Sequence, residues 1–345
     1  MNFKILFFTS KIDLETKKNI DQFVYSHPNG TIFHTTSFFN VYANDINNIP
    51  YYFIAINDNN VVGVLFVSVK FENNFTIKKL SKRAIIYGEP IALNNELEVL
   101  ENLIKEYLQK KDKNIIYTEI RNYSDQKKIN KVYLDNGFKF VPHLNIIINL
   151  TKDIEVLKKE LHKEKRHNIG RAKNKGLVFS EISNSNQFEN SIALIKETYN
   201  RIKLPGPSTE FLIQSQLNLN DNFKCYGIYL NNELIATRIV LLFNKTVYDW
   251  YAGSNPLYNN KYANDFIVWN ILEMYHNNGF KLFDFGGAGH PDKAYGVRTF
   301  KERFGGEYVN FGRYLNIHKH LFYAIGVFFI KLLKYYKYEL RKFKK

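Results

Sequence analysis

The chain has 345 residues, 45% of them hydrophobic and 23% charged, which excludes a disordered or low-complexity protein and leaves room for about two cored domains. Lys and Arg number 48 against 33 Asp and Glu, and the net charge of +15 favours an anionic partner such as RNA, a phosphorylated or nucleotide-linked substrate, or an acidic lipid surface. The only cysteine, Cys225, excludes an internal disulfide or multi-thiolate metal site and points to a reducing compartment.

In chain order, the apolar patch Ile5 to Phe8 reads as a first strand and is too short for a signal h-region of about 7–15 residues. No run reaches the ~18 apolar residues of a membrane-spanning helix, so a cytoplasmic location is expected. Tyr51 to Ile56 and Val61 to Val69 read as a hairpin around the Asn-Asp-Asn-Asn turn at 57–60. Ala84 to Tyr87 follows as a strand, then an amphipathic helix from about Glu96 to Gln109 with Leu97, Leu100, Ile104 and Leu108 on its apolar side. Ile115 to Ile120 is a buried strand, and Leu144 to Leu150 closes the series after Gly137-Phe138.

The same order recurs. Tyr226 to Leu230 and Leu234 to Leu242 form a hairpin, Val247 to Tyr251 a strand, about Ala263 to Asn277 a helix, Leu282 to Phe285 a strand, and Gly312 to Ile317 a closing strand after Gly305-Gly306. A repeated hairpin, strand, helix, strand and closing pair predicts two α/β (α+β) units, each a mixed sheet flanked by helices. The expected boundaries are 1–150 for the first domain and 151–318 for the second.

Residues 151–176 read as a linker helix with Ile154, Leu157 and Leu161 on one stripe and Lys159, Lys163, Arg166 and Lys173 on another face, a basic ridge that is either solvated or anion-binding. Residues 319–345 form a basic amphipathic C-terminal tail. Its uncharged run Leu321 to Ile330 precedes seven cations and one anion in 331–345. Such a helix lies at an anionic membrane surface or docks on the core with a basic end.

Three segments, LHKEKRHNIGRAKNKGLVF, YDWYAGSNPLYNNKYANDFIVWNILEMYHNNGFKLFDFGGAG and GVRTFKERFGGEYVNFGRYLNI, resemble in their order and spacing the FemABX peptidoglycan-bridge aminoacyltransferases. The likeness covers about 150–317, and the first half only by topology. It implies tandem acetyltransferase-like (GNAT) domains that move an acyl or aminoacyl group to an amine. Family members take the group from aminoacyl-tRNA and place it on a peptidoglycan precursor, while related proteins acylate amino sugars of surface polysaccharides. Tyr42 stands near the position where the family often has a lysine that contacts precursor phosphate.

Acyl transfer needs a neutral nucleophile and donors aimed at the developing oxyanion. Lys301, in the family-like pair Phe300-Lys301, is the candidate for the second role; otherwise it is a surface lysine. Asp284, alone in an apolar strand before Gly286-Gly287, either accepts the amine proton or caps the loop. Tyr251, crowded by Tyr248, Trp250 and Tyr258, either contacts substrate or packs the core. Arg166, Arg171 and Arg201 are clamps for phosphate or carboxylate, or solvated arginines. No metal site is expected.

The loops at 88–94 and 253–260 each hold one glycine and a proline, which lacks an N–H. A pyrophosphate cradle for coenzyme A is therefore not expected, and aminoacyl-tRNA is the expected donor. The alternatives are a coenzyme A-dependent N-acyltransferase acting on an amino sugar, and an inactive scaffold binding RNA or the inner face of the cell membrane.

Overall fold

The computed structural model describes residues 2–72 and 81–328. The first part of the chain runs β1 (Lys4–Phe8), α1 (Leu14–Ser26), α2 (Thr36–Ala43), β2 (Asn48–Asn57), β3 (Asn60–Lys70), β4 (Arg83–Tyr87), β5 (Ile91–Ala92), α3 (Leu97–Lys110), β6 (Tyr117–Arg121), α4 (Asn130–Asp135) and β7 (Lys139–Val141). The second part begins with β8 (Leu144–Asn149), α5 (Ile154–Glu160), α6 (Lys163–Asn174), β9 (Val178–Glu181), α7 (Ser185–Ile202) and α8 (Thr209–Leu219). It continues through β10 (Phe223–Leu230), β11 (Glu233–Phe243), β12 (Thr246–Ser254), α9 (Ala263–Asn277), β13 (Leu282–Gly289), α10 (Gly296–Glu302) and β14 (Glu307–Val309). β15 (Arg313–Ile317) follows.

The duplication is visible in the strand orders, β1-β2-β3-β4-β6-β15-β7 in one sheet and β14-β8-β13-β12-β11-β10-β9 in the other. Read from opposite ends, these are one topology twice. In each, an antiparallel hairpin (β2–β3 or β10–β11) leads to a strand whose next neighbour is parallel, β4 with β6 and β12 with β13. A parallel pair needs a crossover, and α3 and α9 supply it.

The closing strands depart from the expected assignment. β8 pairs antiparallel with β13 and β14, while β15 pairs with β6 and β7. The two compact units are therefore 1–141 with 312–345, and 142–311. Each sheet thus receives its closing strand from the stretch of sequence expected to serve the other. Unpaired strand edges of equal geometry accept either strand, so local pattern does not choose between them.

The linker helix also differs from expectation. It is two helices with a break at Leu161-His162, where the His162 side chain accepts from the Glu164 N–H at 3.4 Å. Lys159 and Lys163 therefore lie on different helices, although all four cations of the ridge remain exposed. Helices α7 and α8 were not expected, and they start on Asn184 and Ser208, whose side chains accept from the N–H groups of Gln187 and Phe211. The tail is helical over 320–328, and its basic part lies outside the described residues.

The core of the second unit sits between its sheet and α9, with Ile146, Ile148, Val240, Val247, Phe283 and Phe285 against Ile267, Val268 and Ile271, all fully or almost fully buried. Each such side chain contributes about 1.5–3 kcal/mol. On the other face α7 lies directly on β12 at Gly253, where an added Cβ would meet Ile195 N at 2.6 Å and Leu194 C at 2.7 Å. These neighbours are backbone and cannot swing aside. Gly253→Ala is expected to cost about 1–3 kcal/mol, seen as a lower urea midpoint with an unchanged m-value.

Candidate active site

The parallel ladder of β12 with β13 consists of Thr246↔Leu282, Val247↔Phe283 and Tyr248↔Asp284. Past that last pair the two strands no longer pair with each other, although β12 runs to Ser254 and β13 to Gly289. The register of β13 against β8 also breaks between Asp284, Gly287 and Gly289. Gly286 and Gly289 have φ of +69° and +80°, a region that glycine enters without a steric cost. Asp284 therefore stands where a strand bulges away from its neighbour.

The Asp284 carboxylate accepts from the Gly286 N–H at 2.6 Å and is hydrogen-bonded to the Asn145 side chain. Burial pushes its pKa up to about 6, against the opposing effects of those hydrogen bonds and of Lys301. Lys301 reaches back from α10, and its ammonium donates to the carbonyl of Phe285 at 2.5 Å and of Gly287 at 2.9 Å. Burial lowers its pKa while Asp249 and Asp284 hold it up. Arg298 anchors the same helix by donating to the carbonyls of Ala288 (2.7 Å), Pro291 (3.0 Å) and His290.

A buried ion pair lies on the neighbouring strands. Arg238 on β11 donates to Asp249 on β12 at 2.6 Å, with side chains 6% and 10% exposed. Arg238 Nε is buried without a hydrogen-bond partner among the described residues. A buried donor left open in this way is costly unless a ligand or water meets it. Tyr199 on α7 borders the same charges; burial, then Asp249 and Tyr295, push its hydroxyl up to about 12.

These groups have complementary capacities. A carboxylate that titrates near 6 is mostly ionised at neutral pH and basic enough to accept a proton from an attacking amine. Two carbonyls fix the lysine ammonium and leave its third N–H for an oxygen that gains charge.

The other residues singled out in the sequence are distributed as follows. Tyr251 is partly buried, its ring 4.6 Å from Trp250 and 6.0 Å from Tyr199. Phe300 stacks near Phe304 at 5.2 Å and under the Lys165 ammonium at 4.1 Å, so it supports α10. Tyr258 donates to Glu233 at 2.5 Å on the surface. Arg166 donates to the carbonyls of Lys159 (2.8 Å) and Leu161, closing the break between α5 and α6. Arg171 donates to the Tyr262 hydroxyl at 3.1 Å, and both Nη atoms of Arg201 donate to the Ser254 carbonyl at 3.1 Å. None of the three arginines hydrogen-bonds to Asp284 or Lys301. Arg166 also lines an open recess of about 780 Å³ with His162, Lys163, Glu164 and His167.

Sequence reasoning missed Arg238, Asp249 and the buried pair Lys165–Asp265, in which Asn168 donates to the second oxygen of Asp265 at 2.8 Å. The signal was present for the first two, since Asp249 is the lone charge of its strand and Arg238 the one charge of β11 after Glu233 at its first position. In the first unit, the Lys70 ammonium stands 5.7 Å over the Tyr42 ring and 5.3 Å over Tyr87. Burial alone would raise Tyr87, but Lys70 and Arg121 pull it down to about 7. A strand lysine thus stands beside Tyr42, near which the resembled family often has a lysine.

Residues 163–300 match the acetyltransferase (GNAT) domain family. No curated protein matches the chain in sequence. Among solved structures, FemX superposes with a TM-score of 0.70 at 13% identity, covering 94% of this chain and 99% of FemX. L-PGS from Bacillus licheniformis gives 0.59 at 13% identity over 94% and 98% of the two chains. A tandem GNAT protein from the clavulanic acid biosynthesis pathway gives 0.57 at 8% identity over 92% and 99%. Matched domain, doubled topology and likeness to FemX agree on the fold: the chain is a tandem GNAT-fold protein, and the match to the acetyltransferase (GNAT) domain lies in its second unit.

Proposed function

We propose that the second unit transfers an aminoacyl group from aminoacyl-tRNA to an amine of a cell-envelope precursor at the inner face of the membrane. The observation that carries this reading is that the buried Asp284 carboxylate and the Lys301 ammonium, held by the carbonyls of Phe285 and Gly287, stand close together where β12 and β13 part. The amine attacks the ester carbonyl carbon and forms the C–N bond, Lys301 donates to the oxyanion, and Asp284 takes the amine proton. Collapse breaks the C–O bond, and the proton passes to the departing ribose oxygen.

The turn after β12 supports this donor over coenzyme A. Its amides are used internally, Leu257 N–H donating to the Asn255 side chain at 3.0 Å and Tyr258 N–H to the Asn255 carbonyl at 3.2 Å, and Pro256 has none to offer. The surplus of 15 positive charges suits a polynucleotide carrier. A lipid acceptor in place of a peptidoglycan precursor is the second reading, favoured by the likeness to a putative lysylphosphatidylglycerol synthetase (TM-score 0.59).

The purified chain, incubated with radiolabelled aminoacyl-tRNA and with either peptidoglycan precursors or phospholipid, should label one acceptor. Lys301→Met should lower kcat by about 10²–10³-fold, the usual loss of an oxyanion donor, with circular dichroism unchanged. Undiminished turnover in that variant, or stabilisation of the protein by micromolar acetyl coenzyme A, would count against the reading.

A further inference from the structure

The helix 320–328 has two unlike sides. Tyr323 and Val327, one turn apart, are the half-buried positions, and the Tyr323 ring meets Tyr117 edge-on at 5.4 Å. Leu321, Ile325 and Phe328 fall together on the opposite side and are 70%, 43% and 61% exposed, with Phe322 beside them at 38%. At 100° per residue these three lie within about 60° of one another, roughly opposite Tyr323 and Val327. Four large apolar side chains in nine residues are more than the scattered exposure normal for a soluble surface. In the sequence they are bracketed by Lys319 and His320 on one side and by Lys331, Lys334 and Lys337 on the other.

We propose that this face docks the protein on an anionic lipid bilayer, the helix lying in the interface with Leu321, Ile325 and Phe328 inserted among the acyl chains. The bilayer is favoured over a protein partner by charge complementarity. Residues 331–345 carry seven cations and one anion directly after the apolar face, and each cation near an anionic surface adds about fivefold in lipid affinity. The uncharged run Leu321 to Ile330 is about half the ~20 residues that a span needs, so attachment is in-plane. The inference stands on its own observations, and either it or the acyl-transfer reading can fail alone.

Cys225 is buried and its thiol is pushed up to about 11, so in Ile325→Cys a thiol-reactive, polarity-sensitive dye marks position 325 selectively. The full-length labelled chain should show a blue shift with vesicles of 30% phosphatidylglycerol in phosphatidylcholine, and little with phosphatidylcholine alone. In co-sedimentation, Phe328→Glu and, separately, Lys334→Glu with Lys337→Glu should each weaken binding at least tenfold. Both leave residues 2–317 untouched, and an unchanged melting temperature establishes that they fold. Absence of sedimentation with the anionic vesicles, equal binding to both compositions, or undiminished binding by Phe328→Glu would overturn the proposal. A blue shift that grows with protein concentration without vesicles would overturn it too, by assigning the face to self-association.

Discussion

Asp284→Asn is expected to make the protein more stable and nearly inactive. The folded state holds the Asp284 proton more tightly than the unfolded chain, with a pKa of about 6 against 3.8. A raised carboxylate is a penalty on the folded state that is absent below about pH 4, grows between pH 4 and 6, and is complete above 6. About two units correspond to roughly 3 kcal/mol at pH 7, an upper value because neighbouring groups relax. The asparagine oxygen still accepts from the Gly286 N–H, so the turn is kept. Thermal unfolding at pH 7 should therefore rise by several degrees, and the gain should vanish as the pH approaches 4. Turnover should fall by about 10²–10⁴-fold, the range of a general base, and the acidic limb of kcat near pH 6 should disappear. A variant that is more stable and fully active would mark Asp284 as a cap of its own loop.

The largest loss of stability is expected from Lys165→Ala. Its ammonium is bound to Asp265 with both side chains under 10% exposed, and it also lies over the rings of Phe300 and Phe304 at 4.1 and 4.9 Å. Removing the cation leaves a buried carboxylate held only by Asn168, and breaking such a pair costs about 3–5 kcal/mol. Lys165→Met combined with Asp265→Leu removes both charges and keeps the volume, so most of that loss should be recovered in urea unfolding. Non-recovery in the double variant would mean that the stacking on Phe300 and Phe304 outweighs the charge term. Because Phe300 precedes Lys301, the single variant should also lower kcat beyond what stability explains.

Much of the architecture was legible because it is written locally. Alternating apolar residues and Asn-rich turns define β2–β3 and β10–β11, and 3.6-residue periodicity defines α3 and α9, so the duplication could be read without coordinates. α7 carries a helical period too, with Phe188, Ile192, Leu194 and Ile195 on its buried side, but it has no counterpart in the repeated order of elements through which the second half was read. Asp284 stood out as a lone charge in an apolar strand, and Lys301 through the resemblance of its Phe-Lys pair. Arg166, Arg171 and Arg201 stood out equally, yet their guanidinium groups are bound to the chain's own carbonyl and hydroxyl oxygens.

By itself, then, the sequence determined the repeated unit, the elements within it, and the two charged residues that end up at the parting of β12 and β13. Tertiary structure alone decided that β8 closes the second sheet and β15 the first, that the linker breaks into α5 and α6, and that Arg238 meets Asp249 while Lys165 meets Asp265. The division has a physical cause. Turn chemistry and side-chain period act over a few residues, whereas sheet edges and buried charges are satisfied by whichever complementary group the whole fold delivers, here 11 and 100 positions away for the two ion pairs and farther still for the closing strands.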